Sequence, residues 1–375
     1  MIYFVYLSYR PNTAPANRAL AYLKSADRMG IPIQVLYLLP DENRSKLSDE
    51  FQNVKVKYCW DRFFIDNPYL KYLSYFFYLL MFVRQLKEGD KVYIYSLNDI
   101  IRRLVNKKGV DFYYEITECP EVSLTTTELC KPSIIKHLDF CKKVKSLFVI
   151  SSGLRKYYVE RGIPESKINI INIIVDAKRF EGIRKDDNSE RYIAYCGTAS
   201  NNKDGVDQLI KAFAIVADRD KNIKLYIIGD TPSTDDSRKN EELIKRLGIK
   251  ERIVFTGKVS AEQMPQLLMN AQILALARPD NIQAKYGFPT KLGEYLLTGN
   301  PVVVTAVGDI PLFLKDKKNA MIAPPDNSAA FAEKIAWLLD NPELAKAIGE
   351  NGKNTALSEF NDMIETKKLL DIINK

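Results

Sequence analysis

Strand-length apolar runs alternate with helix-length amphipathic ones through almost all of this chain, and that alternation limits the fold more than any other feature. "IYFVYL" (2–7), "IQVLYLL" (33–39), "VKVKYC" (54–59), "KVYIYSL" (91–97), "DFYYEIT" (111–117) and "SLFVIS" (146–151) read as strands. Between them lie helical patterns at 15–30, 69–87, 99–107 and 134–144. The first has Pro15 in its opening turn and Gly30 just past its end, the usual start and stop residues. Most of the strands are apolar on both faces. Such strands need cover on both sides, which is the environment of a parallel sheet between layers of helices.

The pattern lapses at "DAKRFEGIRKDDNSE" (176–190), which is charged and strand-free. It then restarts with strands at 192–197, 224–230, 252–257, 272–277 and 301–305, each followed by a helical stretch. The fold class expected is α/β, with two Rossmann-like doubly wound domains facing a central cleft. The expected domains are 1–175 and 176–358, with a last helix, 359–375, crossing back to the first. In open parallel sheets, ligands bind beyond the carboxyl ends of the strands.

Composition excludes several classes. With 375 residues there is enough chain for two ordinary domains. The five cysteines are odd in number and include no Cys-x-x-Cys pair, so reduced thiols are expected rather than a disulfide frame or zinc site. The one histidine, His137, leaves no His-rich metal site and reads as structural. The net charge of +8 comes from scattered residues. No helix carries a basic stripe with interleaved aromatics, so no nucleic-acid partner is expected. The N-terminus lacks the basic and small-residue features of a signal peptide, which points to a cytoplasmic location.

Three loops of the second half leave strand ends and enter helices. In "YCGTASNNKDG" (195–205), Gly197 ends a strand and Lys203 stands near a helix start, an arrangement that suits a phosphate; a plain solvated loop is the alternative. No P-loop and no Gly-x-Gly-x-x-Gly after the first strand is present. In "YGFPTKLGEYLLTGNPVVVT" (286–305), Pro289 reads as the first helical residue, followed by Thr290 and Lys291. A lysine in a first turn opposes the helix dipole, so an anion is expected beside it. Glu294, one turn on, can accept two hydrogen bonds from a ribose diol, each worth about 1.5–3 kcal/mol. An exposed Lys291–Glu294 pair is the alternative. In "RIVFTGKVS" (252–260), Phe255, Thr256 and Gly257 end a strand whose free backbone groups can read a base edge.

With these motifs the second half resembles the retaining GT-B glycosyltransferases of family 4. The matching stretches are "GTASNNKDG", "VFTGKVS" and "YGFPTKLGEYLLTGNPVVVT"; "LFVISSGLRKYYVERGIPESKINIINIIVDAKRF" matches more loosely. The resemblance implies transfer of a sugar from a nucleotide-diphosphate sugar, UDP- or GDP-linked, to a glycan or lipid-linked acceptor with retention of configuration, as in surface polysaccharide synthesis. Lys203 and Lys291 would hold the diphosphate and offset leaving-group charge, Glu294 would bind the ribose, and no metal or other cofactor would be needed. Gly197, Gly287, Phe288, Pro289 and Thr290 would complete the donor wall.

Two positions depart from the family's pattern. The first glutamate of its pair is Tyr286, and the early basic residue of the Gly-rich loop is Thr198; Arg278 is a neighbouring source of the missing charge. These departures admit a different reading, a non-catalytic sugar-nucleotide-binding or scaffold protein. On the acceptor side, Glu118 would position or deprotonate the acceptor hydroxyl, with Arg10 and Asn12 as contacts. The aromatic helix at 69–87, with lysines near both ends, reads as a core helix or as a segment that dips into the inner membrane surface.

Overall fold

The computed structural model describes residues 1–10, 13–38, 47, 50–58, 68–95, 107–123, 134–186, 188–230 and 234–375. These divide into two compact units, Met1–Asn172 with Asp362–Lys375, and Ile173–Asn361. The helix expected over 99–107 falls almost wholly outside the described residues, as do Asn12, Cys59 and Cys130.

The first unit is built on seven strands: β1 (Ile2–Tyr6), β2 (Ile33–Tyr37), β3 (Val54–Tyr58), β4 (Lys91–Tyr95), β5 (Asp111–Ile116), β6 (Ser146–Val149) and β7 (Ile168–Ile170). All pair in parallel, in the order β3-β2-β1-β4-β5-β6-β7. Around the sheet lie α1 (Ala14–Arg28), α2 (Pro68–Gln85), α3 (Ile134–Lys143) and α4 (Ser152–Val159). Local chemistry sets their ends. The Thr13 side chain caps α1 and Ser151 caps α4, accepting from Leu154 N at 3.0 Å. Gly30, at φ +68°, turns the chain out of α1.

At the carboxyl end of this sheet the in-register residues Tyr58, Tyr37, Tyr6 and Tyr95 form a row across four strands. Tyr6 stacks on Tyr37 at 5.4 Å and Tyr37 on Tyr58 at 5.3 Å. Next to the row, opposite Tyr95, sits Glu115, fully buried. A buried carboxylate needs partners. Arg18 of α1 donates to Glu115 through Nε (2.9 Å) and Nη2 (2.5 Å), Tyr22 donates at 3.0 Å, and Tyr93 donates as well. Arg18 also ties the carbonyls of Ile171 and Asn172.

The C-terminal helix (Asp362–Asn374) belongs to this unit. Ser25 and Arg28 of α1 donate to Asp362 at 2.9 and 3.0 Å, Asn172 N donates to Glu365 at 2.8 Å, and Tyr113 OH donates to Ile373 O at 3.0 Å.

The second unit repeats the plan with β8 (Tyr192–Cys196), β9 (Lys224–Ile228), β10 (Ile253–Gly257), β11 (Ile273–Leu276), β12 (Val302–Thr305) and β13 (Met321–Ala323). The order is β10-β9-β8-β11-β12-β13, again all parallel. Sheet order reverses beside β8, so the loop after β8 lies at the switch point where such sheets take ligands. The helices that frame this loop are α5 (Asn201–Asp204), α6 (Val206–Arg219), α7 (Thr234–Leu247), α8 (Met264–Asn270), α9 (Ile282–Tyr286) and α10 (Thr290–Leu297). Helix α10 starts one residue later than the sequence suggested. Pro289 is its N-cap, in an extended conformation, and Thr290 is the first helical residue.

Candidate active site

The site is built where β8 ends. Gly197 has φ +141°, a region closed to most side chains. A Cβ there would also meet Lys291 Cε at 2.9 Å and Tyr195 OH at 3.2 Å, and would overlap Lys291 Nζ. The loop is zipped to the one after β9, with Gly197 N donating to Ile228 O and Ala199 N to Asp230 O, both at 2.8 Å. A Cβ on Gly229 would overlap Gly197 O, so that neighbouring loop also depends on glycine. Ser200 caps α5, and Gly205, at φ +66°, ends it and begins α6.

Against this turn stands the first turn of α10, where Lys291 is largely buried. Its ammonium forms an ion pair with Asp204 and donates to Tyr195 OH at 3.0 Å. Tyr195 OH lies 2.6 Å from both Asp204 Oδ2 and Thr198 O. The anion that the sequence demanded beside Lys291 is therefore supplied from within the chain, by Asp204, which is 2% exposed. Burial pulls the Lys291 pKa below the ordinary lysine value, while Asp204 pulls the other way. Burial pushes the Asp204 carboxyl up, but the charge of Lys291, hydrogen bonds from Lys291 and Tyr195, and Arg278 outweigh it and hold it below the usual range.

Arg278, expected to stand in for the missing base at Thr198, is buried. Its Nε is 3.9 Å from Asp204 Oδ1 and donates to Lys203 O at 3.3 Å, so its charge faces the same carboxylate. Lys203 is exposed on α5. Glu294 pairs with Arg179, not with Lys291, so the surface-pair alternative for Lys291 and Glu294 is not what forms. Burial raises the Glu294 pKa against the opposing pull of Arg179. Tyr286 ends α9, half-buried, with Lys285 Nζ 5.3 Å from its ring centroid. Gly287 closes α9 by donating to Gln283 O at 3.0 Å. Phe288 is core, packed edge-on against Phe313 at 5.6 Å.

Of the remaining predicted residues, Gly257 O accepts from Gly229 N at 3.1 Å, in the loop beside Gly197. Phe255 is 44% exposed on β10, an edge strand, and the register shifts between Phe255 and Gly257. Thr256 Oγ1 donates to Gly257 O at 2.9 Å. In the first unit, Glu118 and Arg10 are exposed, and Arg10 O accepts from Thr13 Oγ1 at 2.8 Å. Asn12 lies outside the described residues. Cys196 ends β8, and burial pushes its thiol up to about 12, which makes it an inert packing residue. Among the described residues, no group of three or more His, Cys, Asp or Glu side chains could hold a metal ion.

Three residues of the cluster were not found by sequence reasoning: Asp204, Tyr195 and Arg179. Asp204 carries a faint signal, as an acid placed between the loop lysine and the helix-starting glycine. Tyr195 and Arg179 carry none, because only the fold brings them to α10.

Two all-parallel units, each with the same reversed strand order and the second with a glycine turn facing a helix N-terminus, define a protein of GT-B fold. Residues 176–355 match the model of the family Glycosyl transferases group 1. Among curated relatives, the Streptomyces kanamyceticus alpha-D-kanosaminyltransferase is 27% identical over 42% of this chain and 39% of its own. The Bacillus anthracis N-acetyl-alpha-D-glucosaminyl L-malate synthase is 27% identical over 41% of this chain and 38% of its own. The chain thus spans about two-fifths of the length of these relatives. Among solved structures, Anabaena Alr3699/HepE in complex with UDP and glucose superposes with a TM-score of 0.77 at 17% identity, covering 100% of this chain and 99% of that one. TarM does so with a TM-score of 0.78 at 12% identity, covering 100% and 98%. At these identities the structural likeness speaks for the fold alone.

Proposed function

We propose that the protein is a glycosyltransferase of the retaining family 4 type, moving a hexosyl group from a nucleoside-diphosphate sugar to an acceptor hydroxyl. The observation that carries this reading is the Lys291 ammonium, held in the first turn of α10 against the Gly197 turn. Helix N-terminal amides, a cation and a glycine turn together suit a diphosphate. On this reading the bond from the sugar's anomeric carbon to the diphosphate oxygen breaks, and its electron pair goes to the diphosphate. The acceptor oxygen bonds to the same face of that carbon, and the acceptor proton passes to the departing phosphate oxygen. Lys203 and Lys291 meet the growing charge, so they act most strongly in the transition state. Glu294 takes the ribose, with Arg179 fixing one carboxylate oxygen. Uridine is the favoured base, since HepE has been solved with UDP. Glu118, Arg10 and Asn12 are proposed for the acceptor side.

We further propose a glycan acceptor linked to lipid, at the inner face of the membrane, as in surface polysaccharide synthesis. Helix α2 supports this by exposing Leu73, Phe76, Phe77 and Met81 on successive turns, with exposed Arg84 and Lys87 following. Among the described residues no helix is long and apolar enough to cross a membrane.

The test is release of nucleotide from a panel of UDP- and GDP-sugars, with and without acceptor glycans, in the presence of EDTA. Turnover of one donor, insensitive to EDTA and lost in Lys291→Ala, is the expected result. Tyr286, standing where the family has a carboxylate, favours one second reading: nucleotide binding without turnover of any donor would make the protein a degenerate sugar-nucleotide binder.

A further inference from the structure

The ammonium of Lys291 has three N–H donors, and their surroundings are specific. One donor goes to Asp204 and one to Tyr195 OH. Its Nζ also lies 4.6 Å from the Tyr195 ring centroid. The third donor has Gly197 beside it, at a spot that any side chain on Gly197 would fill. Asp204 is itself fixed. Tyr195 OH lies 2.6 Å from its Oδ2, and Arg278 Nε lies 3.9 Å from its Oδ1. The buried carboxylate thus has a hydroxyl on one oxygen and a guanidinium charge facing the other, and both restrain it beside the lysine it grips.

We propose that Asp204, assisted by Tyr195, is a positioning residue for Lys291: it keeps the buried ammonium charged and presents its remaining N–H at the Gly197 turn. The inference rests on the reading that Lys291 meets the donor diphosphate. Without Asp204, nothing on α5 would offset the cost of burying that cation, and Lys203 and Arg278 would repel it. The other groups facing Lys291 are Tyr195 and Cys196 on β8, Glu294 on its own helix, and Arg179 paired with Glu294. Tyr195 and Cys196 are buried and neutral at pH 6–9, their pKa values pushed up by burial. Lys291 is thus the group that loses charge first in an Asp204 variant as pH rises.

The signature is a change of sign with pH. Asp204 is also an anion close to where the diphosphate would lie. Asp204→Asn therefore removes a repulsion while Lys291 is protonated, and removes the support of that protonation at higher pH. Binding of UDP, GDP, ADP and CDP to the full-length protein, measured by calorimetry from pH 6.5 to 9.5, reads both effects. At pH 6.5 the affinity of Asp204→Asn for the best nucleotide should equal or exceed that of the wild type. By pH 9 it should be weaker, roughly tenfold for each unit by which the lysine pKa has fallen below that pH. Tyr195→Phe keeps the ring and removes one acceptor, and should move the basic limb the same way by less. It serves as the second variant if Asp204→Asn fails to fold.

Lys291→Ala separates the two levels of the argument. If the wild type binds none of the four nucleotides, or Lys291→Ala binds as the wild type does, the diphosphate reading is overturned and this inference with it. If Lys291→Ala loses binding while Asp204→Asn and Tyr195→Phe run parallel to the wild type at every pH, the reading stands and the inference is overturned. A purely structural role for Asp204 predicts that parallel outcome, with a lower melting temperature.

Discussion

Arg179 and Glu294 are 115 residues apart in the chain and form an ion pair within the second unit. Arg179 occupies Oε1, which leaves Oε2 for a ligand. If that oxygen receives the ribose hydroxyls, Glu294→Gln should weaken binding of a nucleoside diphosphate by about 1.5–3 kcal/mol, or roughly ten- to a hundredfold. It should leave the affinity for inorganic diphosphate unchanged, since that ligand has no ribose. Calorimetric titration with both ligands checks this. An equal loss for the two would place Glu294 on the phosphates or in the scaffold instead.

Gly197→Ala should be costly on two counts. The backbone at φ +141° is closed to alanine, and the new Cβ would overlap Lys291 Nζ. Strain of this kind costs about 1–3 kcal/mol, and the displaced lysine should take nucleotide binding with it. Gly30→Ala is the control. It shares a positive φ, but nothing lies within 4 Å of its Cβ and it sits far along the chain from the site. Chemical denaturation should show a loss of stability in both variants, and binding assays a loss in Gly197→Ala alone.

The pH dependence of stability carries a sign that follows from Asp204. Its carboxyl titrates below the usual range in the folded chain. Between that folded value and the unfolded value near about 3.9, the unfolded chain binds more protons than the folded one. Stability therefore rises with pH through this window and falls as acid protonates the folded carboxylate. Asp204→Asn should flatten that part of the curve. Urea unfolding from pH 2.5 to 5 measures the slope; an unchanged slope would mean the carboxyl is not held by its partners.

The fold was legible in this chain because its signal is repetitive. Apolar strands recur with helical stretches between them, and glycines such as Gly197 and Gly299 fall at element ends. The site was half legible. Lys291 and Glu294 could be read because a lysine in a first helical turn conflicts with the helix dipole, and such conflicts are local. Their partners could not, because Asp204, Tyr195 and Arg179 reach α10 only through long-range contacts, 87 to 115 residues away. The need for an anion beside Lys291 was readable, but its source was not: the chain itself provides a carboxylate. Pro289 was placed one residue too deep for a similar reason. Proline suits both the cap and the first turn, and only the backbone distinguishes the two.

Arg18 and Glu115 hold the core of the first unit. Both are buried, and Tyr22 and Tyr93 share the carboxylate. Burial lowers the Arg18 pKa but the charge of Glu115 raises it further, so the guanidinium stays charged. Removing one partner strands the other charge in the core, at a cost of about 3–5 kcal/mol. Arg18→Met and Glu115→Gln should each show that loss in urea unfolding. The double variant should lose less than the sum, because it strands no charge. Additive losses would mean the two side chains act independently.

Exposed Phe77 and Met81 of α2 offer the most direct test of the lipid-facing proposal. Each is more than half exposed, at 57% and 56%, and both stand on a stripe with Leu73. A soluble protein rarely leaves several large apolar side chains together in water. The wild type should sediment with vesicles rich in anionic phospholipid at low salt, and less so as salt screens Arg84 and Lys87. Phe77→Ser with Met81→Ser should reduce vesicle binding by about tenfold or more, given ~1.5–3 kcal/mol for each large apolar side chain withdrawn from the lipid. Because these side chains face outward, thermal stability should not fall. Transfer to a short soluble acceptor should also be unchanged, which separates a docking role for α2 from a catalytic one. Vesicle binding that survives both substitutions would put any membrane contact elsewhere on the chain.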